Sequence, residues 1–338
     1  MQAIDNRHPQ LRGFRAGDVF RTSLGDVTRQ FSKLPRAMFN VGRSMAKRWT
    51  ELALSDVLWE VAETLPAGLY NSSSLECYVR DMLEQEPRTN QFNELAQELY
   101  IVATELDSGK RAVFGPGDGV TISQAVAASS AVPILYRPVR VGDSDYVDGG
   151  LHGAASLDLA IEAGAKLVVC VNPMAPLDAS RTHAGEQFIR KHGLQAVINQ
   201  SVRTLMHSTI RYHIKNLRAK YPDVDIILIQ PHWGDYRMFS FNPMHYCNRL
   251  TVAEHGFESV TVGLTENFDY FDNVLSRHNI RFTKNLVVEE LDEIRSSGED
   301  PDVVERILAR PEPGPTLASS LDHLEWSLRR LDATVSAD

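Results

Sequence analysis

Asp148, Gly149 and Gly150 close an extended run in SDYVDGGLHGAAS, residues 144–156. An apolar segment ends on a carboxylate, two glycines follow, and a helix opens a few residues later. A plain turn has the same wording, because glycine accepts positive φ without a Cβ clash. The other reading is that Asp148 is presented at a reacting centre. In open α/β sheets ligands bind at the carboxyl ends of strands, and paired glycines let backbone or substrate come close. A carboxylate placed there can accept the proton of a hydroxyl nucleophile within hydrogen-bond reach. Its ordinary pKa of about 3.9 makes it a weak base, and partial burial would raise that value toward neutrality. Such an aspartate calls for a serine partner and for amides that stabilise an oxyanion.

The surrounding elements follow from apolar spacing. Leu34, Met38, Val41, Met45 and Trp49 step by three and four and predict one helical face. Further helices are expected over Ser55–Thr64 and Ser74–Glu84. In ELYIVATELDSGKRAVFG two extended runs flank Asp107-Ser108-Gly109, a hairpin signature. GDGVTISQAVAASSAVP reads as a loop, a helix capped near Thr121 or Ser123, and a stop before Pro133. YRPVRVGDSDYVDGG reads as two short strands around a turn, and SLDLAIEAGA as a helix closed by Gly164. KLVVCVN and VDIILIQ are short continuous apolar runs, expected as strands buried on both faces. A long helix is expected over roughly 187–219. Strands alternating with helices predict an α/β sheet with helices on both faces. Beyond residue 235 the pattern is mainly helical. RPEPGP, residues 310–315, breaks it before a leucine stripe from Leu317 to Leu331, read as a helix docked on the domain.

The chain of 338 residues is 43% apolar, enough for a substantial core, and its net charge of −9 argues against nucleic acid as a partner. The charge is uneven, with ten Lys or Arg against three Asp in residues 1–50. Cys77, Cys170 and Cys247 are few and far apart, which suits reduced thiols in a cytoplasmic protein. The amino terminus carries no secretory signal, and no apolar run approaches the ~20 residues that span a bilayer.

LYIVATELDSGKRAVFG, ISQAVAASSAVP, YVDGGL and AGAKLVVCVN together resemble the carboxyl half of the patatin-like phospholipase domain, over about residues 65–172. The region from LIQPHWGDYRMFSFNP onward resembles the helical extension of some bacterial members. The resemblance implies a serine acyl hydrolase using a Ser–Asp dyad without histidine. Asp148 would be the proton acceptor, in the motif Asp148-Gly149-Gly150. It implies no cofactor. The resemblance organises the chain as a basic variable helical segment over 1–64, the carboxyl part of the α/β domain over 65–235, and a helical extension over 236–338.

The family pattern also needs a GxGxxG oxyanion loop and a GxSxG nucleophile elbow ahead of the DGG. No GxSxG occurs in the chain. The expectation is that the chain holds no nucleophile; the nearest match, GRSMA, centres on Ser44, a weak candidate. Ala46 replaces the second glycine, and the apolar spacing puts Ser44 inside a continuous helix rather than on a strand-turn-helix elbow. Ser129 and Ser130 fall in a family-like stretch that implies a structural helix end near the cleft. The GPGDGV loop, residues 115–120, has phosphate-cradle glycine spacing, but Pro116 removes a donor and a simple loop is expected. The expectation is therefore a sheet lacking its first strand and elbow, from a gene model short at its start, and no activity from this chain alone. The alternatives are a catalytically inactive relative that binds lipid or a protein partner, and a nucleophile supplied by another polypeptide.

Residues 31–49 combine an apolar stripe, one tryptophan and five Lys or Arg. That composition suits a covering helix with a solvated basic face, or a helix lying on an anionic membrane surface. The second reading fits an enzyme taking a lipid or membrane-surface substrate, with peripheral membrane association. The histidines, among them His183, His192, His207, His213, His232, His245 and His255, show no HxxxH or HExxH spacing, so no metal is expected. His152 lies close to Asp148 in sequence, and the dyad pattern gives it no role.

Overall fold

The computed structural model describes residues 15–19, 67–85, 87–153, 155–178, 189–231, 249–280 and 296. The helices expected over 34–49 and 55–64, the candidate Ser44, the basic stretch 31–49, Cys247, the break at 310–315 and the leucine stripe lie outside the described residues.

The fold is mixed α/β. In chain order the elements are α1 (Ala16–Val19), β1 (Gly68–Tyr70), α2 (Ser73–Leu83), β2 (Ile101–Glu105), β3 (Arg111–Phe114), α3 (Ile122–Ser129), β4 (Ile134–Tyr136), β5 (Val139–Val141) and β6 (Ser144–Asp148). They continue with α4 (Leu157–Glu162), β7 (Leu167–Val171), α5 (Gly193–Lys220), β8 (Asp225–Ile229), α6 (Arg249–Glu266) and α7 (Phe268–Ser276). Two compact units divide the chain. One comprises Gln10–Cys170 with Ser201–Ile226. The other comprises Met1–Pro9, Val171–Gln200 and Ile227–Asp338.

The first unit is organised by a four-stranded sheet in the order β3-β2-β6-β5, antiparallel throughout. Two local turns make it. Gly109, at φ +67°, donates to the Glu105 carbonyl at 2.9 Å and closes the β2–β3 hairpin where Asp107-Ser108-Gly109 predicts it. Gly142, at φ +58°, turns β5 into β6. Both positions need a left-handed backbone that glycine adopts freely.

Helix α3 lies across this sheet, and its sequence explains its place. Thr121 accepts from the Gln124 amide while the Gln124 side chain accepts from the Thr121 amide, a full capping box. The buried face is made of small residues, Ala125, Ala127 and Ala128, so the helix axis approaches β2 closely. Phe92, Ala103, Phe114 and Ile122 complete the core with Ala125 and Ala128. Phe114 meets Tyr146 edge-on at 5.2 Å between ring centres, the arrangement favoured by the ring quadrupoles. Beneath the helix start, Asn90 donates to the Ser123 hydroxyl at 3.0 Å and accepts from the Ser123 amide at 2.9 Å, tying a buried polar pair to the α3 cap.

Two further strand pairs form sheets of their own. β1 pairs with β4 in parallel. β7 pairs with β8; the Asp225 amide donates to Lys166 and the Asn172 amide to Ile229, the same order along both strands and hence parallel. The expectation that Leu167–Val171 is buried on both faces is corrected here. Val168 and Cys170 are buried, but Val169 and Val171 are 49% and 66% exposed. The strand covers one face because its side chains alternate. Helix α4 closes at Gly164, φ +98°, as its sequence predicts. The expected 187–219 helix runs Gly193–Lys220, preceded by a 3-10 turn over Ile189–His192.

Candidate functional site

Asp148 is the last residue of β6, a strand flanked on both sides in its sheet. Three hydrogen bonds fix its backbone and side chain. Its amide donates to the Ala131 carbonyl at 3.0 Å, and its carbonyl accepts from the Thr104 hydroxyl at 3.0 Å. Its Oδ1 accepts from the Gly150 amide at 2.7 Å. Among the described residues no group donates to Oδ2. The first residues after the strand, Gly149–Leu151, form a single 3-10 turn that the Asp148 side chain caps.

Contacts rather than backbone handedness favour both glycines, strictly at Gly149, which faces backbone, and less so at Gly150, which faces side-chain ends. A Cβ on Gly149 would lie 2.2 Å from the Val102 carbonyl oxygen, so no side chain fits between β6 and β2 at this point. A Cβ on Gly150 would lie 2.9 Å from Asp148 Oδ1 and 3.2 Å from Met206 Cε. The question raised by the DGG sequence therefore has a steric answer. The glycines let the chain fold back under the carboxylate, and the second one presents its amide to it.

The electrostatics follow from this placement. Asp148 is half-buried, and the loss of solvent pushes its carboxyl above the ordinary carboxylate value; the Gly150 amide pulls it partly back. The group thus combines a fixed orientation, an oxygen that no described residue donates to, and a raised basicity.

Other residues singled out by sequence fall into place around it. Ser129 ends α3 and Ser130 caps it; the next residue, Ala131, receives the Asp148 amide, so this helix end abuts the strand terminus. Among the described residues no serine hydroxyl reaches the Asp148 carboxylate. His152 and Leu151 are exposed. In the GPGDGV loop the Gly115 amide already donates to Asp118 at 2.7 Å, closing the loop on itself. His213 lies 3.8 Å from Asp158, which Arg111 also engages at 2.7 Å. Among the described residues no three His, Cys, Asp or Glu side chains converge as a metal site.

Thr104, Val102 and Met206 contribute to the surroundings of the DGG motif and were not legible in the sequence. Thr104 and Val102 sit on a strand whose neighbour is set by tertiary pairing, and Met206 is one position on a helix of 28 residues. A cleft of about 720 Å³ opens beside Val102, between Glu98, Tyr100, Ser156 and Leu159; Asp148 does not line it.

Residues 28–161 match the family model of the patatin-like phospholipase. The matched span contains β2, β3, α3 and β6 and ends in α4. Among the described residues no helix is long and apolar enough to cross a membrane.

Proposed function

Starting from a chain that is similar to patatin-like phospholipases over residues 28–161, we propose that the protein is a lipid acyl hydrolase in which Asp148 is the proton acceptor for a serine hydroxyl. The observation that carries this reading is the Asp148 carboxylate itself. It stands at a strand end, half-buried, with one oxygen held by the Gly150 amide and the other without a donor among the described residues. The reaction is acyl transfer. The serine oxygen attacks the ester carbonyl while its proton passes to Asp148. The tetrahedral intermediate expels the alcohol, which leaves with that proton. Water then attacks the acyl-enzyme, giving up a proton to Asp148, and collapse of the second intermediate releases the carboxylic acid and restores the serine hydroxyl. Amides directed at the developing oxyanion would supply much of the rate.

A second reading, a lipid-binding relative without hydrolytic activity, is favoured by one observation: no Gly-x-Ser-x-Gly occurs in the 338 residues. A fluorophosphonate probe separates the two. Covalent labelling of one serine, with hydrolysis of phospholipid vesicles that disappears in Asp148→Asn, supports the hydrolase. Hydrolysis unchanged in Asp148→Asn removes Asp148 from the mechanism. Neither labelling nor hydrolysis, with vesicle binding retained, supports the binding protein. The reading includes contact with anionic membranes through the basic residues 31–49, because lipid substrates are presented at such surfaces.

A further inference from the structure

The carboxyl part of α5, from Ser201 to Lys220, belongs to the unit that contains Asp148. It has two apolar faces. Ile210, Ile214 and Leu217 are buried on one. Val202, Leu205 and Tyr212 follow one another at steps of three and seven, and so share the other. All three are exposed, Leu205 by 68% and Tyr212 by 70%. Packing within the domain accounts for the first face and gives no reason for the second.

Two features show what that face is suited to meet. Ser208 and Thr209 stand beside Leu205, and both hydroxyls donate to the Leu205 carbonyl, at 2.9 and 2.8 Å. This back-bonding turns their polarity onto the helix itself, so the surface is less polar than its sequence. The charge is one-sided as well. α5 carries five Lys or Arg and no Asp or Glu, in a chain of net charge −9. Arg211 and Lys215, which flank Tyr212, are exposed and meet no carboxylate among the described residues.

The face also borders the Asp148-Gly149-Gly150 turn. Met206, next after Leu205, reaches Gly150, where an added Cβ would lie 3.2 Å from its Cε. Leu151, the following residue of that turn, is exposed too.

Exposed apolar side chains rimmed by unanswered cations fit a surface that is anionic outside and apolar within, as a lipid leaflet is. A second copy of the chain fits less well. About a two-fold axis the face meets itself, and α5 has no carboxylate to set against Arg211 and Lys215. Among the described residues no helix is long and apolar enough to cross a membrane, so the contact is along the surface. We infer that the Val202, Leu205 and Tyr212 face of α5 lies on anionic membranes, these side chains among the acyl chains and Arg211 and Lys215 at the headgroups. The choice of a membrane rests in part on the lipid hydrolase reading, and the contact brings the lipid surface beside Asp148.

A fluorophore at position 205 tests this, attached through Leu205→Cys in a full chain that carries Cys77→Ser and Cys247→Ser. With phosphatidylglycerol–phosphatidylcholine vesicles its emission shifts to the blue and is quenched by lipids brominated on the acyl chain. With phosphatidylcholine alone it does not. In flotation of the otherwise native chain, Tyr212→Ser weakens binding about tenfold, the loss of one large apolar contact. Arg211→Gln with Lys215→Gln weakens it at least as much. Tm holds in both variants, because the positions are exposed. Asp148→Asn leaves the fluorescence response unchanged, so failure of this contact and failure of the hydrolase reading are separate results. The inference is overturned if the chain binds no vesicles, or if it floats while the fluorophore at 205 does not respond, which assigns the contact elsewhere. A dimer seen by light scattering and dissolved by Tyr212→Ser, with no response to vesicles, overturns it in favour of a second copy.

Discussion

The amide of Gly150 donates to Oδ1 of Asp148 at 2.7 Å, across a turn two residues long. This bond fixes which carboxylate oxygen is occupied, and among the described residues nothing donates to the other. It also needs the close approach that a Cβ at position 150 would obstruct. The chemistry proposed for Asp148 rests on that local geometry.

Asp148→Asn keeps the acceptor for the Gly150 amide and removes the proton acceptor. The fold is expected to survive, and lipid ester hydrolysis, in a protein in which Asp148 has its nucleophile serine, to fall by about 10²–10⁴, the usual contribution of a positioned general base. Parallel rate and circular dichroism measurements on the two proteins check it; a folded variant with wild-type rate would remove the assignment.

The raised carboxyl of Asp148 sets a pH dependence. Hydrolysis needs the ionised form, so kcat/KM rises with pH through a value above the ordinary ~3.9 of aspartate. Stability runs the other way. The folded state holds this proton more tightly than the unfolded chain, a contribution fully present below the unfolded value and lost as pH rises through the folded one. Asp148→Asn does not titrate. Its stability relative to wild type therefore improves from below pH ~4 upward and then levels off. Urea unfolding of both proteins across pH reads this directly, and a constant difference would show that burial does not perturb the group.

Gly149→Ala and Gly150→Ala are expected to differ. At Gly149 the added methyl meets the Val102 backbone at 2.2 Å, so β2 and β6 must separate, and about 1–3 kcal/mol is lost. At Gly150 the contacts are side-chain atoms, Asp148 Oδ1 and the mobile end of Met206. The fold gives way more cheaply, but the carboxylate turns, so activity falls more than stability. Chemical denaturation with rate measurements distinguishes the two; equal stability losses would contradict the geometry.

Ile134 adopts φ +72° and is 81% exposed. A β-branched side chain is strained there, by roughly 1–2 kcal/mol. Asn tolerates the left-handed region, so Ile134→Asn should raise stability by about 0.5–1 kcal/mol, read from the urea midpoint. A lowered midpoint would show that the exposed isoleucine has a stabilising partner.

The membrane contact proposed for residues 31–49 predicts flotation of the full chain with anionic vesicles and not with neutral ones. Replacing Arg43, Lys47 and Arg48 by Gln should reduce it, and rising salt should weaken it as screening shortens the reach of these charges. Equal, negligible binding to both vesicle types would remove that contact.

Much of the site's frame was written locally in the chain. The Asp107-Ser108-Gly109 hairpin, the Thr121–Gln124 capping box and the helix stop at Gly164 each depend on residues within a few positions of one another, and each is where its sequence places it. Asp148-Gly149-Gly150 was recognisable for the same reason: turn chemistry acts over two or three residues. The sequence by itself thus determined the β2–β3 hairpin, the α3 start, the α4 stop and where the carboxylate ends its strand. The parallel pair β1 and β4, which has no run long enough to read locally, emerged only from tertiary pairing. Only the tertiary structure decided what surrounds the carboxylate. Val102 facing Gly149, Thr104 holding the Asp148 carbonyl and Met206 over Gly150 come from distant parts of the chain. Likewise, an apolar run such as Leu167–Val171 states how much surface can be buried, not which face is covered, and two of its valines are exposed. Hydrophobicity is non-directional. Local rules therefore fix the elements, while neighbours and burial, which set the basicity of Asp148, are settled by packing.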